Sequence, residues 1–319
     1  PEATKENPKP KPEAAATKLT GVNYEVAMLL LLQAQAAVLS ANARLQALAK
    51  KFDEAQGSPQ VSSNDNKNAY SLLLAAAGIF KYLEKFVEEM PLSLRSKLPG
   101  NLDESVLRGR ALQCLTHAEE LELEASFGKE SVQTSTRRTL CCSIMQNWQK
   151  AWEEMSQVGS IKEPEKHKME TYFKAKKLQA EALALRYHAH IIDSGTEKGC
   201  HGKACGAYAE ALEKFAQSNI LLKEAGAVRS GIAYELEKTL QDDHDKCLRA
   251  AQEIYYENVS KDIPSLPVGR SMVKADIYVL PQVNTKVWTS SMYEIAAKEP
   301  KPESISDGEQ SNGTADNQM

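Results

Sequence analysis

Residues 70–87, Tyr-Ser-Leu-Leu-Leu-Ala-Ala-Ala-Gly-Ile-Phe-Lys-Tyr-Leu-Glu-Lys-Phe-Val, set the tightest limit on what this chain can fold into. Leu72, Leu73, Ala76, Ile79, Phe80, Leu83, Phe86 and Val87 recur in steps of three and four, the period of one face of an α-helix. Ala75, Ala76, Ala77 and Gly78 leave a waist without side-chain bulk, where neighbouring helices can approach closely. Gly78 costs about 1 kcal/mol against Ala in a helix interior, and close packing offsets that cost. The pattern predicts a central helix packed against from several sides.

The rest of the chain repeats this helical grammar. Residues 1–18 are rich in Pro, Lys, Glu and Ala without apolar periodicity, which predicts a disordered lead. A helix is expected over 22–52, apolar almost all round near its start and therefore buried on several sides. Residues 56–68 read as a loop, and the central helix stops at Pro91. Asp103 is placed to cap the next helix, which carries Leu107, Ala111, Leu115, Ala118 and Leu121.

Beyond Gly128 a helix holds Cys141, Ile144, Met145, Trp148, Trp152 and Met155 at helical spacing. The next, over 164–192, starts with Pro164 in its first turn. Another resumes at Ala204 and ends in Ala225-Gly226, a C-cap signal. The last is expected over 230–258. Prolines then forbid helix interiors, so 263–281 reads as an extended return segment, and 298–319 as a disordered acidic tail. About seven helices without a hairpin-type strand signal predict an all-α fold. The class is an elongated, irregular helical solenoid or bundle with tetratricopeptide-like helices and an extended proline-containing return segment. No strict 34-residue repeat is present.

Composition excludes several alternatives. With 39 Lys+Arg against 43 Asp+Glu the net charge is −4, which gives no general attraction to nucleic acid. The six cysteines are scattered and read as reduced thiols of a cytosolic protein. The most apolar run, 26–39, is broken by Gln33 and Gln35 and is shorter than the roughly 20 residues of a membrane span, so a buried core helix is expected. The chain does not begin with Met, and a missing beginning is expected.

Catalytic signatures are not found: no phosphate-cradling glycine loop, no Gly-x-Ser-x-Gly elbow, no His-Glu-x-x-His. Cys200-His-Gly-Lys-Ala-Cys205, with His188 and His190 upstream, is the nearest to a zinc site, but Gly199, Gly202 and Gly206 suit an interhelical loop better. We therefore expect no enzyme activity, no cofactor and no metal. Trp148 and Trp152 are expected in the core. Lys162, Lys166, Lys168, Lys174, Lys176 and Lys177 crowd one helix. Either they form a solvated face with Glu163, Glu165 and Glu170, or they meet an anionic membrane surface at up to about 1 kcal/mol per Lys. In the tail, Ser304 and Ser306 stand three residues ahead of an acid, a weak phosphorylation context.

Four segments carry a family resemblance. They are Tyr24-Glu-Val-Ala-Met-Leu-Leu-Leu, Leu74-Ala-Ala-Ala-Gly-Ile-Phe-Lys-Tyr-Leu, Leu115-Thr-His-Ala-Glu-Glu, and Ala250-Ala-Gln-Glu-Ile-Tyr-Tyr-Glu-Asn-Val followed by Pro264 and Leu266. Their order and spacing over 22–281 resemble the BRO-one domain, the module of Alix and its relatives. The nearest look is to short plant endosomal-targeting BRO-one-like proteins, without the family's N-terminal lobe. The resemblance implies a cytoplasmic scaffold, peripherally associated with endosomes, that holds the C-terminal amphipathic helix of an ESCRT-III subunit in an apolar groove. Carried onto this chain, the groove falls at Leu121, Leu123, Thr136, Leu140 and Ile144. Glu122 and Thr136 stand where Alix-type grooves use Phe and Ile, which disfavours an apolar anchor. The alternative is a membrane-associating adaptor using Lys166, Lys168, Lys174, Lys176 and Lys177, with groove binding lost.

Overall fold

The computed structural model describes residues 21–54, 63–157, 162–227 and 229–281. Among them are α1 (Val22–Glu54), α2 (Ser63–Glu88), the single turn α3 (Leu92–Arg95), a 3-10 turn at Gly100–Leu102, α4 (Glu104–Ala125), α5 (Thr134–Ser156), α6 (Glu165–Asp193), α7 (Cys200–Ala225) and α8 (Gly231–Glu253). No strand occurs among the described residues. The expected lead at 1–18 and the acidic tail at 298–319, with Ser304 and Ser306, lie outside them.

The caps follow local chemistry. Asp103 accepts the Ser105 N–H at 2.9 Å and opens α4, satisfying one of the donors a helix start leaves unpaired. Gly226, in the left-handed region at φ 64°, closes α7, with the N–H of Ala227 reaching back to the Leu222 carbonyl. Three boundaries move. The last helix, expected to reach residue 258, ends at Glu253, and Tyr256 turns left-handed just beyond it. Ser63 to Asn68, expected as loop, are the first turns of α2, because Ser, Asn and Asp favour helix starts as much as turns. Cys200 to Lys203, also expected as loop, begin α7.

Each long helix packs on its neighbours in the chain: α1 on α2, α2 on α4, then α4 on α5, α5 on α6, α6 on α7 and α7 on α8. Two apolar cores result. One gathers α1, α2 and one side of α4, including Leu30, Leu31, Leu73, Phe80, Leu83, Leu107 and Leu121. The other gathers the opposite side of α4 with α5 to α8, including Leu123, Ile144, Trp148, Phe173, Leu183, Leu236 and Leu240. Leu121 and Leu123, two residues apart, thus point into different cores. The central position belongs to α4, not to α2.

The waist of α2 serves a different neighbour from the one its sequence suggested. A β-carbon on Gly78 would overlap the Asp276 carbonyl, and the Asp276 N–H donates to the Leu74 carbonyl at 3.3 Å. What approaches there is the backbone of the segment after α8, which we call the strap (254–278). α1 departs from expectation too. It buries Ala27, Leu30, Leu31, Ala34 and Ala41 on one side, yet Val22, Leu29, Leu32 and Leu39 are 74%, 67%, 55% and 67% exposed. By length and composition Val22–Ala47 is apolar enough to cross a membrane, and most of that stretch is not buried.

Candidate partner-binding face

The strap leaves α8 at a left-handed Tyr256 (φ 53°) and crosses the helices in reverse order. Every crossing uses a small or specific partner. Over α7, the Ser260 N–H donates to the Gly202 carbonyl at 2.9 Å, and β-carbons at Gly202 and Gly206 would overlap the carbonyls of Asn258 and Ser260. Over α6, the His188 ring donates through Nε2 to the Pro264 carbonyl at 2.8 Å and accepts at Nδ1 from Arg138 at 2.9 Å. Burial, together with the Arg138 charge, lowers the His188 pKa, which keeps the ring neutral in that one tautomer.

Over α5, Gly269 lies against the backbone of Cys142 and Ser143, where a side chain has no room. Over α4, the Ser271 hydroxyl donates to Glu119, which also accepts from Asn147 at 3.0 Å. Burial raises the Glu119 pKa, and these three hydroxyl and amide donors (Ser271, Asn147, Ser143) work against the rise. Over α1, the Tyr278 hydroxyl donates to Gln33 at 3.1 Å, and the Tyr278 ring meets Tyr82 edge-on.

Glu257 ties the strap to a helix start. Its two oxygens accept the N–H groups of Gly199 at 2.8 Å and Gly202 at 2.9 Å, at the positive end of α7, and these bonds lower its pKa. The signal for this arrangement was present as Gly202 and Gly206 four residues apart, one face of a helix. The sequence alone does not say that backbone rather than another helix fills that face.

On the strap-bearing side, Glu122 lies one turn along α4 from Glu119, and Thr136 and Leu140 lie seven and three residues before Ser143 on α5. Glu122 lies beside Tyr70 of α2, and Thr136 lies in the first turn of α5, just after the turn that joins it to α4. At that turn Arg137 donates to the carbonyls of Ser126 and Lys129, tying the start of α5 to the end of α4. Of the residues carried over from the family groove, Leu121, Leu123, Leu140 and Ile144 are buried and only Thr136 is exposed. Leu123, Leu140 and Ile144 share the second core and Leu121 belongs to the first. Glu122 is exposed beside Tyr70, whose phenol is raised by burial and by the Glu122 carboxylate. The face is therefore a polar shelf over an apolar floor.

Beneath it lies a buried charge network. Lys176 is 4% exposed and its ammonium is 2.7 Å from Glu120, which also accepts the Trp148 indole N–H at 2.9 Å. Burial alone would raise the Glu120 pKa, but Lys176 and His117 outweigh it and hold the carboxyl at about 2. His117 packs edge-on against Trp148, and its Nε2 pairs with the Tyr172 hydroxyl at 3.3 Å. Glu124, one turn on, faces the N–H groups of Gly231 and Ile232 at the start of α8; burial, then the Glu120 charge, push it up to about 7. Trp148 is a fully buried core residue, and Trp152 is half-buried against the same core, its ring beside Phe173.

Lys176 is thus withdrawn from the lysine surface expected on this helix. Lys177 is half-buried and donates to Gln149 at 3.0 Å. Lys168 and Lys174 are exposed and Lys166 is half-buried. In the cysteine and histidine segment, the Cys205 and Cys247 sulfurs are 3.0 Å apart and His201 pairs with Asp193 at 2.9 Å. Among the described residues no group of three or more His, Cys, Asp or Glu is arranged to hold a metal.

A family model described as a BRO1-like domain matches residues 20–298. Among solved structures, one described as the structural basis for endosomal targeting by the Bro1 domain is 17% identical, covers 89% of this chain and 70% of that one, and superposes with a TM-score of 0.58. A complex of ALIX BRO1 with CHMP4C is 14% identical over 82% of this chain and 65% of that one, with a TM-score of 0.60. ALIX bound to the SIVmac239 PYKEVTEDL late domain is 15% identical over 83% of this chain and 35% of that one, with a TM-score of 0.55. No curated protein sequence matches the chain.

Proposed function

This chain belongs to the BRO1-like domain family, and on that premise we propose that it is a non-enzymatic adaptor in ESCRT-associated endosomal sorting. It works on the cytoplasmic side of endosomes and binds a partner helix, an ESCRT-III C-terminal segment, along the α4–α5 seam. The observation that supports this reading is the shelf itself. Glu122 and Thr136 are exposed, and the strap is bonded to α4, α6 and α7, so the face that carries them is held rigid before any partner arrives. Leu121, Leu123, Leu140 and Ile144 serve as its floor.

The chemistry of the shelf sets the partner. Without an exposed Phe or Ile at positions 122 and 136, an apolar anchor gains little there. A basic residue facing Glu122, flanked by the Tyr70 ring, gains a charge-assisted contact instead. The test is fluorescence anisotropy with labelled C-terminal helices from a panel of ESCRT-III subunits. Micromolar binding that weakens about tenfold in Glu122→Lys, a change of about 1.4 kcal/mol, is expected. Leu140 is a poor probe because it is buried. A folded protein that binds no peptide in the panel overturns the reading.

The alternative is peripheral membrane binding through Lys166, Lys168 and Lys174. It is weakened by the burial of Lys176 and by the interleaved Glu163, Glu165 and Glu170. Flotation with anionic vesicles that fades at high salt would favour it.

A further inference from the structure

The adaptor role leaves two buried nucleophiles unused, the thiols of Cys205 in α7 and Cys247 in α8. Their sulfurs lie 3.0 Å apart on helices that pack together, closer than the roughly 3.5–4.0 Å of ordinary nonbonded contact. A disulfide measures about 2.0 Å, so about 1 Å remains to close. Cys205 is fully buried, and Cys247 keeps a small exposed edge of 4%. Around Cys247 stand the Asp193 carboxylate, 3.6 Å from its sulfur, and the His201 carbonyl, at 3.7 Å. Asp193 holds the His201 ring at 2.9 Å, and Tyr255, just past the end of α8, stacks on that ring. The Cys247 thiol donates to Cys205, which lowers the Cys205 pKa, and the same bond, then burial, raises that of Cys247. The pair thus holds one sulfur ready as a thiolate. Burial instead pushes the thiols of Cys114, Cys141 and Cys142 up, Cys114 to about 12.

Both cysteines stand at the root of the strap. Cys205 lies between Gly202 and Gly206, the saddle on which Asn258 and Ser260 rest. Cys247 lies one turn before Ala251, whose carbonyl accepts the Glu257 N–H at 2.8 Å. We propose that Cys205 and Cys247 are a modification site, closed by peroxide into a reversible disulfide that pins the strap's saddle to the helix the strap leaves. One sulfur, as thiolate, attacks a peroxide oxygen. The S–O bond forms, the O–O bond breaks, and the departing hydroxide takes up a proton as water. The second sulfur then attacks the first. The S–S bond forms, the S–O bond breaks, and the oxygen leaves with the second thiol's proton as water. Two thiols are oxidised and the peroxide is reduced to two waters. Reduced glutathione restores the thiols by exchange. Cytosolic disulfides are usually transient and redox-sensing, which suits an adaptor working on the cytoplasmic side of a membrane.

The test treats the purified, fully reduced chain with dilute hydrogen peroxide. Alkylation, digestion and mass spectrometry should recover a peptide pair cross-linked through Cys205 and Cys247, with Cys114, Cys141 and Cys142 still thiols. A bridge across 42 positions should raise the thermal midpoint by about 5–10 °C, and reduced glutathione should return it. Exchange of the Ser260 N–H, which donates to the Gly202 carbonyl, should slow at least about threefold in the oxidised chain. Cys247→Ala should abolish the cross-link and both shifts. The oxidised and reduced forms of the unaltered chain carry the test even where that variant folds poorly. A folded chain that peroxide oxidises elsewhere, or not at all, overturns the proposal. So does a cross-link that glutathione fails to reduce, or one that leaves the midpoint and Ser260 exchange unchanged. None of these readouts involves a partner helix, so this idea and the adaptor reading fail separately.

Discussion

α1 and α6 are both long helices, and each contradicts its own composition. α1 is uncharged from residue 26 to 43, yet one side of that stretch faces solvent. α6 carries Lys, Glu, His and Arg throughout its length, yet Lys176, Gln179 and His188 are buried in it. The difference lies in what surrounds each. α6 has α5 on one side, α7 on the other, α8 nearby and the strap across it, while α1 packs chiefly on α2, with only the end of the strap reaching it at Tyr278. Hydropathy states how much burial a helix would gain. The number of neighbours decides how much it receives.

The sharpest way to break this contrast is to disarm the charge that α6 buries. Lys176→Met leaves Glu120 buried without its ammonium, and should destabilise the fold by about 3–5 kcal/mol in chemical denaturation, the usual cost of orphaning a buried charge. A loss under about 1 kcal/mol would mean that water reaches Glu120 and that α6 is less enclosed than described.

Lifting the strap would make α6 and α7 more like α1. Gly206→Val puts a branched side chain into the Ser260 carbonyl, and a cost of about 1–3 kcal/mol is expected for such overpacking. Hydrogen exchange should quicken at Ser260 and Asp276, whose N–H groups bond α7 and α2. Unchanged exchange there would show that the strap does not depend on the α7 saddle. The smallest effect belongs to α1. Leu39→Ser should shift stability by no more than about 0.5 kcal/mol, as for other exposed positions. A loss of several kcal/mol would show that Leu39 is covered in the folded protein.

Much of the fold was legible in the residues. Helix existence followed from apolar periodicity, and the caps at Asp103 and Gly226 from side-chain and backbone chemistry that acts within a few residues. The errors fell where a residue type has two uses. Gly78, Gly202 and Gly206 mark close approach, but the same mark serves a helix, a loop or an extended strap. The carried-over groove leucines fell on the apolar stripes of α4 and α5, and a stripe shows which side faces a core but not whether a partner can reach it. Lys176 was grouped with its neighbours because a lysine run resembles a solvated face, and its partner Glu120 lies 56 positions away on α4.

The sequence by itself determined an all-helical chain with a proline-bearing return segment, because periodicity, capping and the proline backbone are local physics. Only the tertiary structure decided that α4 stands between two cores, that the strap lies on small-residue saddles, and that Glu120 keeps its charge in the interior. It also decided that α1 is left half-covered. Those outcomes depend on which surfaces meet across long sequence separations, and burial, ion pairing and backbone approach are properties of the meeting rather than of either partner.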